Sequence, residues 1–194
     1  MAYPAYNYVS PGEYLSIESK SEEKHEYFEG RIYAMTGASL NNNFIVSNLS
    51  RKIGMFLDGK SCNLFGSDLR ITTPISDAYM YPDVSIICGQ VETQENSFDT
   101  ATNPSVIIEV MSPSTKGFDM AFKFHYYKHI LSLKEYILVD STSCFIQTFK
   151  RKDATTWEDG IQISDERLPL SIDTIGIQLQ IKDIYQNVFF TTLP

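Results

Sequence analysis

Three side chains in this sequence stand where their chemistry demands a partner. Glu109 lies in the middle of an apolar, β-branched run over residues 104–112, and Asp83 follows Pro82 at the start of a second apolar run over residues 83–88. Such runs read as central strands buried on both faces, where a lone carboxylate carries a large desolvation penalty unless something cationic meets it. Two carboxylates on neighbouring buried strands are a natural seat for a hard divalent cation, which takes oxygen ligands. The third residue is Lys123. At 100° per residue, a helix over residues 115–131 puts His125, Lys128 and His129 on one sector, facing solvent. Met120, Phe124, Tyr126, Tyr127, Ile130 and Leu131 surround the other, with Lys123 near its middle and Asp119 one turn before it. Two readings are open for Lys123: a lysine delivered to a site, or a snorkelling stem paired with Asp119 at i,i+4.

The elements that must position these residues are of mixed type. Ser10-Pro11-Gly12-Glu13 predicts a helix start, with residues 14–18 packed at the edge. Residues 25–35 read as two short strands around a Glu29-Gly30 turn. Ser39 caps a helix running to about Asp58, with Ile45, Leu49 and Ile53 on one side and Gly59 as its stop. Strands follow near residues 63–65 and 69–73, then the two carboxylate strands, separated by a polar, loop-like stretch over residues 90–103. Residues 135–140 form a buried strand with a hairpin partner over residues 144–149. The fold class is α/β of mixed α+β type. No repeat or long linker divides it, so a single domain is expected over residues 1–194, its core over about 14–151 and peripheral strands over 152–194.

Other candidates carry two readings each. Residues 112–115 could cap the following helix through Ser114 or Thr115, or their amides could meet a phosphate. Tyr126 and Tyr127 read as core aromatics, and His25, His125 and His129 form no ligand constellation. Arg31, Arg51, Lys52, Arg70 and Lys116 either line a groove or are solvated.

Composition bounds the function. The chain has 194 residues, 43% of them hydrophobic, enough for a sizeable core. Its three cysteines, Cys62, Cys88 and Cys144, are spaced like neither a zinc site nor a redox pair and are expected to be reduced core residues. No basic-then-apolar leader opens the sequence and no apolar run approaches membrane-spanning length, so a cytoplasmic protein is expected. Sixteen basic against 24 acidic residues give a formal charge of -8, which argues against a non-specific nucleic-acid coat and leaves room for a local basic groove.

The segments over residues 24–39, 81–84, 108–115, 119–127 and 135–140, in this order, resemble the PD-(D/E)XK nuclease superfamily. Within it they resemble the Uma-type family of restriction-endonuclease-like bacterial proteins, over roughly residues 14–151 with a weaker continuation to 188. The resemblance implies a restriction-endonuclease-like mixed sheet flanked by helices. It also implies a hydrolase, an endonuclease dependent on Mg²⁺ or Mn²⁺ that cuts DNA, with a homodimer supplying the two sites that two strands need. The family's acidic positions fall on Glu26, Asp83 and Glu109. The superfamily lysine two residues beyond that Glu is replaced here by Met111, and the resemblance suggests that its role has moved to Lys123. A histidine common in relatives is replaced by Asn42, which cannot shuttle a proton.

On this reading Asp83, Glu109 and the Val110 carbonyl hold the metal. Lys123 orients or deprotonates the attacking water, helped if burial lowers its pKa. Glu26 either completes the metal's shell or is a solvated carboxylate at a strand end. Two alternatives stand beside this one. The first is an inactive nucleic-acid-binding or regulatory module, favoured by Met111 and the acidic balance. The second is an interaction or structural domain in which Asp83, Glu109 and Lys123 form a buried ion-pair network.

Overall fold

The computed structural model describes residues 8–74, 78–95, 97–113 and 115–190. Helix α1 (Pro11–Glu18) opens with a capping box, in which the Ser10 hydroxyl accepts from the Glu13 N–H and the Glu13 carboxylate accepts from the Ser10 N–H. Strands β1 (His25–Phe28) and β2 (Arg31–Ala34) pair across a turn whose Glu29 and Gly30 both have positive φ, the geometry that matches strand twist. Helix α2 (Leu40–Leu57) is capped by Ser39 and followed by Gly59 at φ 71°. There follow β3 (Cys62–Gly66), β4 (Arg70–Thr72), β5 (Ala78–Met80), β6 (Val84–Cys88), β7 (Thr93–Gln94), β8 (Ser97–Ala101) and β9 (Val106–Met111). A π-helical segment, Phe118–Lys123, runs directly into the α-helical turn α3 (Phe124–Tyr127). The chain continues with β10 (Glu135–Asp140), β11 (Ile146–Arg151), β12 (Trp157–Ile163), β13 (Pro169–Ile172), β14 (Ile177–Gln180) and α4 (Ile181–Ile184).

Among the described residues the strands form two six-stranded sheets and a hairpin. The central sheet runs β12-β11-β10-β9-β6-β3, with β9 parallel to β10 and antiparallel to β6. The second runs β2-β1-β5-β4-β8-β7, and β13 pairs with β14. Alternation along β9 divides the core. Val106, Ile108 and Val110 pack with Ile45, Leu49 and Ile53 of α2, whereas Ile107 and Met111 pack with Tyr126, Tyr127 and Ile130 beneath the second sheet. Glu109 shares the parity of Ile107 and Met111, so it is carried into the layer between the sheets. That is the mixed α+β architecture the sequence patterning predicts.

Several sequence expectations need correction. Residues 90–103 hold β7 and β8, and β5 precedes the Pro82-Asp83 pair; these strands are too short or too polar to show a clean period of two. The helix expected over residues 115–131 is shorter and contains the π-helical segment, whose i→i+5 bonding departs from the 100° wheel. Leu131, assigned to the apolar sector, is consequently exposed. The C-terminal elements are more than peripheral, because Leu170, Ile172, Leu179, Ile181 and Ile184 join the core cluster around α2. Cys62 and Cys88, expected to be reduced, face each other across β3 and β6 and form a disulfide, while Cys144 is free. Ser114, one of the two candidate caps, lies outside the described residues.

Candidate active site

The β6–β9 pair brings the carboxylates together. One residue beyond the Val84–Ile108 pair, the Asp83 N–H donates to Glu109 Oε2 at 3.3 Å and Asp83 Oδ2 accepts from the Val110 N–H at 2.7 Å. Lys123 reaches the same place from the π-helical segment. Its Nζ lies 2.9 Å from Glu26 Oε1, 3.3 Å from Glu109 Oε1 and 3.5 Å from Asp119 Oδ1. Glu26, Glu109, Asp119 and Lys123 are all buried, and Asp83 is half-buried. Glu26 is thus no solvated strand end; β1 holds it inside, where it also accepts from the Tyr81 N–H. Lys123 is no snorkelling side chain, although it does pair with Asp119. A cavity of about 270 Å³ opens on this group, walled by the 35–39 loop, the start of α2, Ser112 and Thr115.

Supporting groups fix the carboxylates. Tyr127 donates its hydroxyl to Glu109 Oε1 at 3.1 Å, and Asn42 donates its amide to the Val110 carbonyl at 2.8 Å. Asn42 therefore buttresses the strand from the capped end of α2 and performs no acid-base role. Tyr127 was legible only as a core aromatic, although it lies four residues after Lys123 and so on the same helical face. Met111, where the superfamily lysine would stand, is fully buried among apolar neighbours.

The charge balance is lopsided, with four carboxylates against one ammonium. Burial, opposed by the Val110 N–H and Lys123 and reinforced by Asp119 and Glu26, raises the Asp83 carboxyl to about 6. Burial also holds Glu109 well above the carboxylate range, outweighing Lys123, with Asp119, Asp83 and Glu26 adding repulsion. Asp119 is raised by burial as well, against the pull of Lys123. Burial pulls Lys123 down, but Glu109, Glu26 and Asp119 together outweigh it and raise its pKa. The expectation of a lysine lowered by burial is thereby overturned, because three acidic side chains face its ammonium.

The donor chemistry fits a hard divalent cation in part. Among the described residues no three His, Cys, Asp or Glu side chains are arranged to hold a metal. The set available is therefore Asp83, Glu109 and the Val110 carbonyl, all hard oxygens, and no hydrogen bond among the described residues reaches Asp83 Oδ1. Burial raises Asp83 and Glu109 most, and a cation would offset both that cost and the repulsion among the carboxylates that adds to it. The scattered basic residues are mostly engaged elsewhere: Arg70 is buried against Asp99, Thr100 and Tyr81, Lys52 pairs with Asp183, and Lys116 pairs with Asp140.

The sequence and fold of this chain have counterparts among known proteins. The chain belongs to the Uma2 family, described as "Putative restriction endonuclease", whose model matches residues 11–182. It is 38% identical over 183 residues to the uncharacterized protein slr1290 of Synechocystis sp. (strain ATCC 27184 / PCC 6803 / Kazusa), covering 94% of each chain. It is 36% identical over 149 residues to the uncharacterized protein sll1609 of the same organism, covering 77% of this chain and 84% of the relative. The crystal structure of a putative nuclease belonging to DUF820 from Anabaena variabilis ATCC 29413 shares the fold, with a TM-score of 0.75 at 19% identity, over 93% of this chain and 99% of that one. The family match runs past residue 151 into the C-terminal elements, consistent with their place in the core. Among the described residues no helix is long and apolar enough to cross a membrane.

Proposed function

We propose that this chain is a metal-dependent endonuclease that hydrolyses phosphodiester bonds of DNA, with Asp83, Glu109 and the Val110 carbonyl holding Mg²⁺ or Mn²⁺. The observation that carries the reading is buried Lys123 paired with Glu26, Glu109 and Asp119, beside Asp83 and open to a cavity, in a chain of nuclease-like family. The cation, when bound, supplies Lewis acidity and lowers the pKa of coordinated water. The chain's own residues do the rest. Asp83 is held in place by the Val110 N–H, and Glu109 is oriented by Tyr127 and the Asp83 N–H. Lys123, kept protonated by its neighbours, acts as a fixed positive charge toward developing negative charge on the phosphate, not as the base. Glu26 and Asp119 hold that ammonium in position and support it from outside the metal's own ligands.

A homodimer would supply the second site that cutting both strands requires. Action in the cytoplasm fits a DNA substrate, and the Cys62–Cys88 bond is the feature that argues against a permanently reducing setting. The test is conversion of supercoiled plasmid to nicked or linear forms in Mg²⁺ or Mn²⁺. Cleavage by the wild type that disappears with chelator and in Glu109→Gln supports the reading. Inactivity of the folded, metal-supplied wild type on both plasmid and single-stranded DNA refutes it. One alternative has an observation of its own. Lys123 already contacts Glu26, Glu109 and Asp119, so a structural ion-pair network without metal would show no response to divalent ions.

A further inference from the structure

Beside the candidate cavity lies a second of about 280 Å³, which shares Met35, Thr36, Thr115, Asp119 and Lys123 with the first and adds Glu26, Tyr33, Ala34 and Phe118. Its chemistry is different. Tyr33 stands on β2, the end strand of its sheet, and is 37% exposed beside this opening. The Phe118 ring lies 6.1 Å from Tyr33 at a tilt of 49°. From behind, Phe118 is braced by Phe122 at 4.7 Å and by buried Phe28 at 5.4 Å, so its position is set by the core. Two aromatic rings therefore flank an opening whose other wall is the site lysine with Glu26 and Asp119.

We propose that this second cavity receives an unpaired nucleobase, stacked on Tyr33 and Phe118, while the adjoining phosphate lies at Asp83 and Glu109. The inference rests on the phosphodiester-cutting reading above and narrows its substrate class to single-stranded or locally unpaired nucleic acid. Charge decides which part of the substrate goes where. The first cavity has Asp83 and Glu109 to hold the cation a phosphate needs; the second has Glu26 with the rings of Tyr33 and Phe118, on which the π-face of a neutral base stacks whatever its sequence. A base still in the duplex stack cannot reach such a pocket. Duplex binding, by contrast, leans on many Lys and Arg contacts to phosphates. This chain carries a formal charge of -8, and its Arg70, Lys52 and Lys116 are spent on Asp99, Asp183 and Asp140. Stacking supplies affinity that the missing basic rail does not.

The test is fluorescence anisotropy of the full chain with labelled oligothymidylate and with a duplex of equal length, in Ca²⁺ to hold the site charge without turnover. The single strand should bind at least about tenfold more tightly. Tyr33→Ala should cut the ratio of single-strand to duplex affinity by about tenfold, and Tyr33→Phe should retain it, because the ring face and not the hydroxyl does the stacking. Melting temperatures of both variants confirm folding; Tyr33 sits at an exposed edge, which keeps the test valid if Phe118 substitutions unfold the chain. Equal affinity for the two substrates, no measurable single-strand binding, or no effect of Tyr33→Ala overturns the proposal. Failure of the nuclease reading looks different: single strands bind through Tyr33 but neither they nor plasmid are cut in Mg²⁺ or Mn²⁺.

Discussion

Replacing Asp83 by Asn should remove a pH dependence that the crowded carboxylates build into the metal-free protein. Asp83 is held at about 6 in the folded chain against an ordinary 3.8. Below about pH 4 the group is protonated whether folded or unfolded, so its favourable contribution is fully present there. Between about pH 4 and pH 6 the folded chain keeps a proton that the unfolded chain has released, so stability falls as the pH rises. A gap of about 2 pKa units amounts to about 3 kcal/mol, lost by about pH 7. Glu109 and Asp119 are shifted in the same direction and add to the trend. Asp83→Asn keeps an oxygen to accept from the Val110 N–H and removes the ionisation. Urea denaturation in chelator should therefore show the variant matching the wild type near about pH 4 and exceeding it by up to about 3 kcal/mol near about pH 7. Divalent metal should reverse the order at neutral pH once it exceeds its Kd by about 1,000-fold, which stabilises the wild type by about 4.1 kcal/mol. Parallel curves for wild type and variant across this pH range would refute the reasoning.

Tyr127→Phe should cost about 1 kcal/mol of stability and, because the hydroxyl orients Glu109, about tenfold in Mn²⁺ affinity by calorimetry; unchanged affinity would remove Tyr127 from the site. Lys123→Met leaves Glu26, Glu109 and Asp119 without their shared cation and should destabilise the metal-free protein by about 3–5 kcal/mol at neutral pH. Plasmid cleavage should be lost in the same variant, and full activity would return Lys123 to a structural role. Reducing the Cys62–Cys88 bond, which closes a loop of 26 residues carrying Asp83, should lower the melting temperature by the equivalent of about 3–4 kcal/mol. An oxidised sample whose melting is indifferent to thiol would contradict the bond.

The sequence carried the strands and two of the acids because burial on both faces leaves a continuous apolar run, and a carboxylate within it stands out. Asp83 and Glu109 meet for that reason, and Lys123 was marked by its place among apolar helix positions. The wheel was right about Lys123 and wrong about Leu131, since the π-helical segment and the early end at Tyr127 shift residues further along. Periodicity cannot report a change in hydrogen-bond register. Tyr127 was invisible as a site residue and Asn42 was marked only by the resemblance, because a hydroxyl or amide acts only through the atom it faces, Glu109 and Val110, across 18 and 68 residues of chain. The Cys62–Cys88 pairing was likewise hidden, because it follows from the β3–β6 register and not from spacing. Strands β7 and β8 are held by the second sheet, which a polar stretch read alone does not betray.

The central claim is that Asp83 and Glu109 share a divalent cation, and a crystal of the full chain soaked in Mn²⁺ and measured at an anomalous wavelength tests it most directly. The account predicts one anomalous peak within about 2.5 Å of carboxylate oxygens from both residues and of the Val110 carbonyl. A saturated crystal with no peak there, and with Lys123 still bonded to Glu26, Glu109 and Asp119, would contradict it.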